Sequence, residues 1–245
     1  MYNCDITGNT STGSGGGVLC SLGLLYLQDC NVLNNTAEGN GGGVVLSNSQ
    51  LELHDSIVAG NSASTGGGVA IGVNVSGMIE KSLIIGNSAG MGGGVDCLEG
   101  STIEFYQTTI AGNNANQGGG IQCETSASPL LHLSIIWGNC ATRGSEAYLF
   151  PNSFLGANCC CIDISGVEGD GDFSHYDTIT DDPQFCSPEP CSNAPTIAGN
   201  YYLNSTSPCA EGTGPCVNQV GALGVGCGEP TPVRHRTWGS IKLGE

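Results

Sequence analysis

The chain has 245 residues, a mass of 24.8 kDa and a formal charge of −17, with only five lysines and arginines, three of them in the last twelve positions. That balance repels phosphate backbones and anionic lipid, which argues against nucleic-acid binding and against docking to a membrane through a basic patch. No run of about 18 apolar residues occurs, so no transmembrane helix and no membrane insertion are expected.

Asparagines recur every 26 residues at Asn9, Asn35, Asn61, Asn87, Asn113 and Asn139, and triple glycines at 15–17, 41–43, 66–68, 92–94 and 118–120 keep nearly the same step. Self-similarity at a fixed period marks a repeat architecture. The 41 glycines sit in fixed slots, which points to structured turns rather than disorder. The chain enters in mid-repeat, Cys4 to Asn9 aligning with Cys30 to Asn35, and no secretory leader precedes this; a natural start upstream is expected.

Each repeat holds three strand-like pieces. The first follows the glycines (Val44-Val45-Leu46, Val69-Ala70-Ile71, Val95-Asp96-Cys97), the second alternates faces (Leu51-Glu52-Leu53, Ile103-Glu104-Phe105), and the third is Ser56-Ile57-Val58-Ala59 or Ser82-Leu83-Ile84-Ile85. Three short strands per period, with no room for a helix, predict an all-β, single-stranded parallel β-helix of about six or seven coils and three sheets, each coil rising ~4.8 Å. The crossover rule for parallel strands makes it right-handed. The stacked asparagines are expected to form a ladder at a corner, in the left-handed conformation that Asn tolerates. Ala37, Ala63, Ala89, Ala115 and Ala141 are read as a tight inward column, and the glycines as suppliers of positive backbone angles.

The sixth repeat decays at Gly144-Ser145-Glu146, and Cys161-Ile162-Asp163-Ile164 resembles Cys4-Asp5-Ile6 closely enough to predict one more, irregular coil. We therefore read 1–167 as solenoid, 168–227 as a loop-rich cap and 228–245 as a tail or linker. Fourteen cysteines suggest an oxidising compartment, with Cys186, Cys191, Cys209 and Cys216 spaced for local disulfide loops in the irregular cap.

Candidate chemistry is sparse. Gln28, His54, Glu80, Tyr106 and His132 align in one outward row on the second sheet, with Lys81 beside it. His54, Glu80, Lys81, Tyr106 and His132 are the best catalytic candidates for a reaction needing a base and a cation, and they are weak ones, since an unselected solvent face would look the same. Glu52 and Glu104 share a column two coils apart, about 9.6 Å by strand spacing, near the upper end for an inverting carboxylate pair. Glu168, Asp170 and Asp172 could gather oxygen ligands for Ca²⁺, without EF-hand spacing; no other cofactor is expected. Cys140 with Cys159, Cys160 and Cys161 lacks the second ligand pair of a zinc site. In the third strand the outward positions Ile57, Leu83, Ile85, Ile135 and Trp137 are apolar too, so this sheet is expected to be covered, either by the cap or by another protein docking there.

Ile84-Ile85-Gly86-Asn87 and Gly93-Gly94-Val95, with Ile110-Ala111-Gly112-Asn113 and Gly119-Gly120-Ile121, carry a family likeness. Over roughly residues 3 to 150 the repeat resembles those of bacterial right-handed β-helix surface proteins, including the chlamydial polymorphic outer-membrane family. That family's motifs are F-x-x-N and G-G-A followed by Ile, Leu or Val; here Ile replaces Phe and Gly replaces Ala. Asp182-Pro183-Gln184-Phe185-Cys186, Ser207-Pro208-Cys209 and Gly221-Ala222-Leu223-Gly224 look like the region that ends many secreted bacterial β-helix proteins. Trp238-Gly239-Ser240-Ile241-Lys242 looks like the start of a sorting segment, and no autotransporter barrel is read, a departure from full-length members of the polymorphic family. The resemblance implies a secreted or cell-surface, non-catalytic rod, adhesin-like or carbohydrate-binding, with a polysaccharide or a surface protein as partner. Pectate-lyase-like enzymes share the fold class, so a polysaccharide lyase or glycoside hydrolase is the alternative; the near absence of insertions between repeats two and five speaks against the cleft an enzyme needs.

Overall fold

A computed structural model describes residues 1–227. The expected tail or linker at 228–245, with its sorting-like segment, lies outside the described residues. The chain is a parallel β-solenoid of about six turns, and each turn adds one strand to each of three seven-stranded sheets. Pairing partners stand one period apart, as in Ile79↔Phe105 and Ile84↔Ile110, so like residues stack on like. Inward columns such as Leu27, Leu53, Ile79, Phe105 and Leu131 fill one continuous core, each such side chain contributing about 2 kcal/mol by leaving water.

The corner asparagines form the ladder, with a different backbone from the one expected. Positive φ falls on the residue before each of them (Gly8, Asn34, Gly60, Gly86, Gly112, Gly138), not on the asparagines themselves. The preceding residue makes the turn, which leaves the Asn side chain under the corner where it can reach two coils. Asn87 Oδ1 accepts from the backbone N–H of Asn61 at 2.9 Å and from its side-chain amide at 3.0 Å, while the Asn61 amide also donates to Val32 O, a core-strand carbonyl, at 2.9 Å. The same three bonds recur along the column. A second ladder, of hydroxyls, stands at the next corner: Ser56 Oγ accepts from Cys30 N–H, Ser82 Oγ from Ser56 N–H, and Ser134 Oγ from Thr108 N–H.

The glycine triplets divide their work. Only the first member has positive φ, for example Gly66 at 61° and Gly92 at 60°. The second and third are needed for room: a Cβ on Gly93 would meet Gly119 O at 2.5 Å and Asn114 O at 2.6 Å. The alanine column is half-buried or buried, and Ala37, Ala63 and Ala89 lie in a fourth, short sheet (Thr10–Ser11, Thr36–Ala37, Ser62–Thr65, Ser88–Met91) beyond the three strands expected per repeat.

The parallel ladders run past residue 167, which corrects the boundary drawn there. Val167–Gly169 joins the first sheet, Asp172–Tyr176 the second, and Ile179 still bridges Cys161 in parallel on the third, so the cap begins after Ile179. The last coil is shorter, pairing Ala147 with Val167 and Phe154 with Asp172 instead of partners 26 residues on, which is why the repeat fades from the sequence before the pairing ends. The cap then turns back over the third sheet. Tyr201, Ile197 and Leu223 pack on Leu33, Ile57, Leu83 and Ile85, and a second cluster joins Leu133 and Ile135 to Ile179, Leu203 and Val220. Polar bonds fasten it: Thr196 N–H to Gly86 O at 2.8 Å and Gly221 N–H to Leu133 O at 2.7 Å. Of the two coverings expected, the chain's own cap is the one that lies over Ile57, Leu83, Ile85 and Ile135, and Trp137 sits half-buried at its edge.

The disulfides differ from the local loops expected. They are Cys140–Cys191, Cys159–Cys216 and Cys186–Cys227, with sequence separations of 51, 57 and 41. Two of them tie the solenoid to the cap, because the cap's return path brings distant cysteines together; Cys209 is not bonded to Cys216 and is a buried thiol.

Candidate functional site

Alternation along a strand sends every second residue outward, and in-register stacking turns these into rows. On the second sheet one row reads Gln28, His54, Glu80, Tyr106, His132, Asn158, Tyr176, and the next reads Tyr26, Glu52, Met78, Glu104, Leu130, Gly156, Ser174. The structure therefore places the four candidates His54, Glu80, Tyr106 and His132 on successive strands of one face. They are not one constellation: His54 and Glu80 touch each other, whereas Tyr106 packs partly against the cap cluster.

His54 is clamped. Its Nδ1 lies 3.1 Å from Glu80 Oε2 and its Nε2 lies 3.0 Å from Glu52 Oε2, while Lys81 Nζ is 3.5 Å from Glu80 Oε1. Tyr26 leans on the His54 ring with centroids 5.5 Å apart, and its hydroxyl donates to Gln28 Oε1 at 2.7 Å. Both imidazole nitrogens therefore face carboxylates of the protein itself. Lys81 stands at a positive-φ corner, where it also lines a small cleft of about 240 Å³ with Asp29, Asp55 and the cap residue Tyr202.

The second sheet carries two shallow grooves. One, of about 560 Å³, runs over Glu52, Ser76, Met78, Thr102, Glu104 and Phe154. The other, of about 330 Å³, runs over Leu130, His132, Asn158, Ser174 and Tyr176. Gly156 helps keep the second groove open, since a Cβ there would meet Leu130 Cδ2 at 2.7 Å. Carboxylates, hydroxyls, amides and ring faces therefore lie in lines that follow the solenoid axis.

The other two main sheets are covered over their middle coils. The cap covers the third. On the first, the outward row is exposed at Leu19 and Glu168 but buried between them from Val45 through Ala70, Asp96 and Gln122 to Tyr148, with Arg143 stacked 4.5 Å over the Tyr148 ring. Gln122 Nε2 donates to Asp96 Oδ1 at 3.2 Å. Burial, with Glu124 adding repulsion, pushes the Asp96 carboxyl up to about 7.

Glu168 lies on the last strand of the first sheet, Asp170 in the following turn and Asp172 on the last strand of the second. Among the described residues no three His, Cys, Asp or Glu side chains form a group able to hold a metal ion. No helix among them is long and apolar enough to cross a membrane.

Two features escaped the sequence reading. Glu146 ends the asparagine ladder, and burial pushes its carboxyl up to about 7; its position where a triplet glycine belongs was the available signal. The burial of the first sheet's outward row had no signal in the alternation, because the covering comes from neighbouring turns.

No known protein family matches the chain, and neither a curated protein nor a solved structure matches it.

Proposed function

We propose that this protein is a secreted or cell-surface rod, adhesin-like and non-catalytic, that holds polysaccharide along the outward face of its second sheet. The observation that carries this reading is that, among the described residues, this sheet keeps its outward row accessible from Gln28 to Tyr176, whereas the first and third are buried over their middle coils, and its rows pair ring faces with hydrogen-bonding groups in lines. Aromatic faces with flanking polar groups suit sugar rings, which present apolar faces and hydroxyl edges. Disulfides joining cap to solenoid favour an oxidising, extracytoplasmic setting, and the glycine and asparagine motifs favour kinship with bacterial surface β-helices.

A lyase or hydrolase is the second reading. It is disfavoured by Lys81 and Arg143 being the only Lys or Arg side chains within 1–227. The test is a glycan array with polysaccharide pull-down, run with and without Ca²⁺, beside a depolymerisation assay. Retention on a glycan, lost in the double variant Glu104→Ala with Tyr176→Ala, supports the rod reading; release of unsaturated uronides replaces it with the enzyme, and no retention on any glycan removes it.

A further inference from the structure

Cys161 and Cys209 meet at the seam where the cap closes on the last coil. Cys161 opens the last strand of the third sheet, at the outward position stacked on Ile135. Cys209 comes from the cap, held by its N–H to Ser207 Oγ at 3.1 Å and by its carbonyl, which accepts from Val220 N–H at 3.0 Å. Both are fully buried in one apolar cluster, and their thiols touch. The Cys159–Cys216 disulfide crosses the same seam, two residues before Cys161 and seven after Cys209.

We propose that Cys161 and Cys209 form a fourth cross-link, a second disulfide across this seam. The bond would close a loop of 48 residues (209 − 161), within the range of 41 to 57 spanned by the other three. In the closed structure the contact with Cys209 and burial keep the Cys161 thiol protonated, so the bond forms while the cap is still open. One thiolate attacks a low-molecular-weight disulfide such as glutathione disulfide and releases one reduced thiol. The second protein thiolate then attacks the mixed disulfide, forms the Sγ–Sγ bond and releases the other. Two protein thiols are oxidised, one disulfide oxidant is reduced, and the two protons leave with its halves.

The other buried neighbours do not qualify. Cys97 and Cys123 are in-register partners on adjacent parallel strands, so their Cβ atoms stand about 4.8 Å apart, beyond the roughly 3.5–4.5 Å a disulfide spans. Cys161 and Cys209 approach from two different elements and carry no such constraint.

The test is a thiol count and a non-reducing peptide map of the full chain, oxidised with glutathione disulfide and then denatured in an alkylating agent. Fourteen cysteines less six in three disulfides leave eight thiols; the fourth bond leaves six. Six alkylated cysteines and a peptide pair joining 161 to 209 are expected. Eight alkylated cysteines including both, or a bond from either to another cysteine, overturns the proposal. Cys161→Ser gives a second reading on the denatured chain, whatever its stability: the count rises from six to seven as Cys209 is freed, whereas a fall from eight to seven overturns the pairing.

Discussion

Glu146 terminates the asparagine ladder by taking two of the three N–H hydrogens of Asn139: Oε2 accepts from the side-chain amide at 2.6 Å and Oε1 from the backbone N–H at 3.3 Å, while the amide's other hydrogen goes to Ile110 O. The carboxylate stands where the next coil would have supplied an asparagine oxygen. Glu146→Ala leaves two buried donors without a partner and should cost about 2–3 kcal/mol. Glu146→Gln, which keeps one accepting oxygen, should cost less. Denaturant unfolding of the two variants checks the order, and equal stabilities would show that water takes over the acceptor's role.

Asp96 and Glu146 make stability depend on pH. Both carboxyls are pushed up to about 7, mainly by burial, from ordinary values of 3.8 and 4.5. A raised folded-state value means that the folded chain holds protons that the unfolded chain has already lost. The contribution is therefore full below about pH 4, falls as pH rises towards 7 and is level above it. The melting temperature should be higher at pH 5 than at pH 8, by an amount reflecting a few kcal/mol. The double variant Asp96→Asn with Glu146→Gln should lose most of that difference. A wild-type melting temperature that climbs towards pH 8 contradicts the assignment.

Gly93 and Gly100 separate space from backbone angle. Gly93→Ala drives a methyl into two backbone oxygens at 2.5 and 2.6 Å, and neither can move without shifting a coil. A loss of about 3 kcal/mol or more is expected, seen as poor soluble yield and a weakened β signal in circular dichroism. Gly100→Ala meets open space and strains only a φ of 71°, so it should cost about 1 kcal/mol. Equal effects would mean that backbone angle alone selects glycine.

Reduction should release the cap. Cys140–Cys191 and Cys159–Cys216 hold it to the solenoid, and beneath it lie Ile57, Leu83 and Ile85, at 6 %, 2 % and 1 % exposure. With dithiothreitol and mild denaturant, hydrophobic-dye fluorescence and self-association should both rise while the solenoid's β signal persists. If dye binding and β signal change together, the cap and rod unfold as one unit.

The repeat alone determined the stacking. A parallel in-register ladder requires equal arc length per coil, and asparagines 26 apart supply that whatever occupies the outward positions. Inward columns such as Val69, Val95 and Ile121 follow from the same rule, as does the outward row through His54 and Glu80. Tertiary structure decided what no period contains. The side chain that closes the ladder comes from an aperiodic substitution seven residues on from Asn139, while the cysteine partners and the covering of Ile57 and Leu83 depend on aperiodic segments returning from more than 40 residues away. The third sheet's outward face is closed by such packing and the middle of the first by neighbouring turns, and the second, left open, is where we place recognition.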